Sequence, residues 1–111
     1  MKKLIITLPY KLGPDEKVEP QVITGNFIRL AAQKKYPNGI ADTNRRIFAR
    51  IMNKLDDAED KKAESIDFED SEFDFIKQAF GEEVAFPTQL SQNITLLEDE
   101  IERVDKESKA Q

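Results

Sequence analysis

Apolar and polar positions change period several times along the chain. Leu4, Ile6 and Leu8 alternate with Ile5 and Thr7, which is the two-residue period of a strand over residues 2–8. "KLGPDEK" (11–17) is a loop punctuated by Gly-Pro and Pro-Asp. "VEPQVI" (18–23) has the make-up of a return strand, and Pro20 confines it to an edge or a short piece. Together these runs predict a small N-terminal hairpin.

The period then becomes helical. Thr24 is placed to cap a first helix whose apolar side is Phe27, Ile28, Leu30 and Ala31. "YPNG" (36–39) stops it, since Pro37 cannot continue the ladder and Asn-Gly favours positive φ. A second helix follows, capped by Asp42 or Thr43, with Ile47, Phe48, Ile51, Met52 and Leu55 forming a wide apolar stripe. Arg46, Arg50 and Lys54 succeed one another at i, i+4, i+8 on another face of the basic helix 43–55. "DDAEDKKAE" (56–64) is expected to fray into a charged linker.

"SIDFED" (65–70) predicts a short strand with Ile66 and Phe68 on one side. Asp70 or Ser71 caps a third helix, and Ser71 with Asp74 resembles a capping box. Phe73, Ile76 and Phe80 sit at helical spacing, and Gly81 is a natural stop. Phe73 and Phe75 are not expected to point inward together on one narrow stripe. "EEVAFP" (82–87) connects to a last helix in which Leu90, Ile94, Leu97, Ile101 and Val104 make a heptad seam. That seam is available either for packing on the second helix or for a small dimer. The closing residues are expected to fray, leaving a globular domain of residues 1–105 and a flexible tail of 106–111. The expectation is one α+β domain, helix-rich, with a hairpin or small sheet (residues 65–68 perhaps added) and about four helices.

Composition narrows the chemistry. The chain has 111 residues, 39% hydrophobic and 35% charged, which suits one domain with a modest core. No apolar run reaches membrane-spanning length. The start "MKKLIITLPY" resembles a secretion signal only in its lysines and short apolar run, which ends at Pro9 with no small-residue cleavage site after it. Cys, His and Trp are all absent. Disulfides and thiolate metal sites are thereby excluded, as are Ser-His-Asp and Cys-His arrangements, and a reducing, cytoplasmic setting is expected.

Charge is divided along the chain. Residues 1–54 carry +7 and residues 55–111 carry −12, for a net −5. Either the halves neutralise each other internally, or each meets a different partner.

"DFEDSEFD" (67–74) holds five carboxylates within eight residues, the one candidate for a hard cation. The calcium-loop pattern fails, because a register starting at Glu59 puts Lys61 and Ala63 at ligand positions. Acids at a helix N-terminus have their own reason to be there. No carboxylate pair is marked for acid-base work, and four scattered glycines make no phosphate loop. The expectation is therefore no catalysis, no metal and no cofactor. Nucleic acid is a further candidate partner through the basic helix. However, the 36–42 connection is long for a DNA-reading turn, and the net charge is negative.

The succession "KKLIITLPYKL", "FIRLAAQKKYPNG", "RRIFARIMNKLDD", "DFEDSEFDFIKQAF" and "LLEDEIERV" resembles that of small accessory proteins in tailed bacteriophage genomes. The resemblance implies a short, cysteine-free, helix-rich protein that binds virion or host proteins, as tail assembly chaperones and small host-takeover inhibitors do. It assigns no role to any residue.

Protein binding is thus the expected activity, in host cytoplasm or virion, with two candidate surfaces. One is the basic face of Arg46, Arg50 and Lys54. The other is the acidic and aromatic segment of Asp70, Glu72, Phe73 and Phe75. Leu90, Ile94, Leu97 and Ile101 are the candidate packing or homo-oligomer seam. Nucleic-acid binding, or acidic mimicry of nucleic acid by residues 56–74, is the alternative.

Overall fold

A computed structural model describes residues 1–81 and 84–109. The elements in order are β1 (Lys2–Ile5), α1 (Pro20–Lys35), α2 (Asp42–Lys61), β2 (Ser65–Phe68), α3 (Asp70–Ala79), a single 3-10 turn (Thr88–Leu90) and α4 (Ser91–Lys109). The fold is α+β and helix-rich, four helices around a two-stranded antiparallel sheet.

The strand partner differs from the expected hairpin. β1 pairs with β2, Lys2 opposite Phe68 and Ile5 opposite Ser65. Residues 18–23 instead lead into α1, where Pro20 takes the first helical position. There its fixed φ fits and its missing N–H would have had no intrahelical partner anyway. The anticipated strand at 65–68 forms, and the expected alternation holds. Leu4 and Ile6 are buried on one side and Ile66 and Phe68 join them, while Ile5 faces outward.

Thr24 is a core residue four positions inside α1 rather than its cap. Its hydroxyl donates to the Ile6 carbonyl at 2.8 Å, so the Tyr10 hydroxyl must donate to Thr24 Oγ1 at 2.7 Å. This chain of two bonds ties the strand exit to the helix.

α2 has Ala41 as its N-cap and continues through the stretch expected to fray, ending where Lys62 turns left-handed at φ 53°. Leu55 and Ala58 are buried, and Asp56 takes the Arg29 guanidinium at 2.8 Å. The supposed linker is therefore the solvated face of a helix whose other face is core. α3 is capped by Glu69 rather than Asp70 or Ser71, and the capping box pairs Glu69 with Glu72, not Ser71 with Asp74. Phe80 is its C-cap, with Gly81 next in the chain. α4 runs to Lys109, past the expected boundary at 105. Residues 82 and 83 of the expected connection, and 110 and 111 of the expected tail, lie outside the described residues.

The core joins all the elements. Leu4, Ile28, Ile51, Phe68, Phe73, Ile76 and Leu97 are fully buried within it. Phe73 and Phe75 both point inward, contrary to expectation, because α3 packs on α1, α2 and β2 at once and its buried arc is wide. The heptad seam is spent inside the chain: Ile94, Leu97, Ile101 and Val104 are buried, with Leu90 half-buried at its start. Its main neighbour is β1 rather than α2. Among the described residues no helix is long and apolar enough to cross a membrane.

Candidate functional site

The charge boundary in the sequence becomes a junction between α2, β2 and α3. Lys54 Nζ lies 2.6 Å from Glu72 Oε1 and donates to the Asp67 carbonyl at 3.0 Å. Glu72 Oε1 also accepts the Glu69 N–H at 2.9 Å, so one carboxylate serves both as helix cap and as counter-ion. Its other oxygen makes no hydrogen bond and has Arg50 Nε at 3.7 Å. The Glu72 side chain is 1% exposed, which makes these contacts structural.

The basic face therefore splits. Lys54 is engaged internally, with its ammonium also 5.7 Å from the centre of the Phe68 ring. Arg46 and Arg50 remain at the surface, 78% and 60% exposed. Arg45, beside them, is 67% exposed and bonded to Asp42 at 2.8 Å, and Asp42 is also 3.7 Å from Arg46. Of the acidic and aromatic segment, only Asp70 is exposed. Glu72, Phe73 and Phe75 are withdrawn into the core, so they do not form the partner surface expected of them. The halves of the chain do neutralise each other in part, through Arg29–Asp56, Lys54–Glu72 and Arg50–Glu72.

The same Lys54 closes one edge of the sheet, since Asp67 presents its carbonyl away from β1. The opposite edge is closed by Glu100 of α4, whose Oε2 accepts the Ile5 N–H at 2.8 Å. Arg103 holds Glu100 through two bonds of 2.7 and 2.8 Å. An open edge on a two-stranded sheet invites pairing with another chain, and both edges here carry a charged plug. Glu100 was not singled out in the sequence. Its signal was its place on the apolar stripe of α4, three residues after Leu97 and four before Val104.

A groove of about 420 Å³ lies between the end of α1 and the start of α2. Tyr36, Pro37, Ile40, Phe48 and Arg45 line it. Phe75 forms its support, its ring centre 5.7 Å from that of Tyr36 and 5.6 Å from that of Phe48. Elsewhere, burial pushes the Tyr10 phenol up to about 12. On α4, burial followed by repulsion from Asp99 raises Glu98. Among the described residues no group of three or more carboxylates is arranged to hold a metal ion.

Comparison with protein families, with curated proteins and with solved structures found no match for the chain.

Proposed function

We propose that the chain is a non-catalytic protein-binding module that meets an acidic partner through the arginine edge of α2. The observation that carries this reading is the division within the basic face. Lys54 is locked to Glu72, while Arg46 and Arg50 stand 78% and 60% exposed on a helix whose other side is core. The helix already fixes their backbone, so pairing with carboxylates costs side-chain freedom alone. The sequence resemblance to tailed-phage accessory proteins supplies the setting: virion assembly or control of a host protein, in the host cytoplasm or the virion.

Protein is favoured over nucleic acid by the carboxylates already present. Arg45 and Arg46 share Asp42, and Arg50 lies 3.7 Å from Glu72. A phosphate backbone tracking this edge would meet those acids on a chain of net charge −5.

The test is affinity capture from bacterial lysate with the full chain and with Arg46→Glu/Arg50→Glu, both verified as folded. A partner retained by the wild type, released by salt and lost by the variant is the expected result. An identical retained set from both baits refutes the arginine edge. A duplex gel shift at low salt that vanishes in the same variant would transfer the edge to nucleic acid.

A further inference from the structure

We infer that the groove between α1 and α2 is a docking site for an acidic peptide segment carrying one apolar or aromatic anchor, an inference that rests on the protein-binding reading above. The groove, at about 420 Å³, falls within the roughly 300–1,000 Å³ typical of sites that take small ligands or single side chains. Its walls are the rings of Tyr36 and Phe48 with Ile40 and Pro37, all open to solvent at least in part. Tyrosine and other aromatic rings set in a concavity are the usual anchors of protein interfaces.

The groove is also built in advance. Phe75, buried beneath, holds both rings from below. The Tyr36 N–H closes α1 on the Ala32 carbonyl at 3.0 Å, and the Gly39 N–H closes the following turn on the Tyr36 carbonyl at 3.1 Å. Gly39 takes φ +105°, which brings the chain round so that Ile40 becomes a wall. The ring floor and the turn beside it are therefore in place before a ligand arrives.

Charge decides the occupant. Arg45 is the charged residue of the lining, and its bond to Asp42 is 67% exposed at both ends, so a partner carboxylate can exchange with it. Every lining residue belongs to the +7 half of the chain. An acid next to the anchor fits that rim. A nucleic-acid strand has the aromatic floor to stack on, but its successive phosphates need a track of cations and the lining offers one.

The experiment is a titration of the isotope-labelled full chain with a ten-residue peptide of Asp and Glu around one central Phe, followed by amide chemical shifts. Shifts are expected at residues 36–40 and 45–48. They should be lost when the peptide's Phe is Ala or its acids are Lys, and the affinity should fall roughly tenfold in Arg45→Glu, whose substituted side chain is exposed. Arg46→Glu/Arg50→Glu should leave the groove shifts in place. Four results each overturn the proposal: no groove shifts at about 1 mM peptide, equal binding of the Ala peptide, the same shifts from a single-stranded oligonucleotide, or self-association by light scattering that maps to these residues. A silent groove with partner retention still lost in Arg46→Glu/Arg50→Glu removes this site and leaves the protein-binding reading standing.

Discussion

Lys54→Met isolates the junction that holds the two charged halves together. The substitution keeps an unbranched side chain of similar length and removes the ammonium from Glu72, from the Asp67 carbonyl and from the Phe68 ring. Glu72 is then left 1% exposed with the Glu69 N–H at 2.9 Å and Arg50 at 3.7 Å. Removing one member of a buried pair costs about 3–5 kcal/mol. Here Lys54 is itself 30% exposed and Arg50 stays close, which lowers the expectation to about 2–3 kcal/mol. A domain of this size has about 5–15 kcal/mol in all, so the loss is large.

Urea unfolding followed by circular dichroism reads it directly. With a slope of about 1.5 kcal/mol per molar, the midpoint should fall by about 1.3–2 M. Glu72→Gln alone should cost about 1 kcal/mol, because the amide oxygen still accepts the Glu69 N–H and Lys54 can turn to water. The double variant should lose about 1–2 kcal/mol less than the two singles added together. A cost for Lys54→Met below about 0.5 kcal/mol, or strict additivity in the cycle, would refute the claim that this pair is structural.

Leu97→Ala should cost about 2–5 kcal/mol with an unfolding midpoint independent of protein concentration, since Leu97 is fully buried within one chain; a concentration-dependent midpoint would return the seam to contacts between chains. Tyr10, raised above its ordinary 10.0 to about 12, stabilises the fold fully below pH 10.0 and loses that contribution as pH rises through about 12. Tyrosinate absorbance should therefore show a late transition that Tyr10→Phe removes, and a Tyr10 transition near its ordinary value would contradict its burial. Gly39→Ala should destabilise by about 1–2 kcal/mol purely through its positive φ, because no atom lies within 4 Å of the added Cβ; unchanged thermal stability would mean that the turn relaxes freely.

Helix positions were legible in the sequence wherever an apolar stripe ran at helical spacing. Ile51 and Leu55 on α2 and Ile94 to Val104 on α4 are buried as their spacing implied. The strand at 65–68 was legible for the same reason, from Ile66 and Phe68. Helix ends were less so. Glu69 caps α3 instead of Asp70 or Ser71, since several neighbouring side chains have the right chemistry and packing chooses the register. The 56–61 stretch read as linker because its charges outnumber its apolar residues. Ala58 alone marked the buried side there, and a small residue is a weak signal. Of the candidate surface, Arg46 and Arg50 were legible as exposed cations, whereas the groove was not. Its parts come from residues 32 to 48 together with Phe75 beneath, and no local pattern ties those pieces together.

By itself the sequence determined the class of fold, the division of charge and the absence of cysteine and histidine chemistry. These follow from composition and from periodicities shorter than one element. Tertiary structure decided the rest: that β1 pairs with a strand some sixty residues away, that Lys54 and Glu72 are partners, and that Glu100 closes a sheet edge. Each of these joins groups far apart in the chain, and their energies depend on burial, which only the assembled core supplies. The change from basic to acidic after Lys54 is one seam of that assembly, with Lys54 on its inner side and Arg46 and Arg50 left facing out.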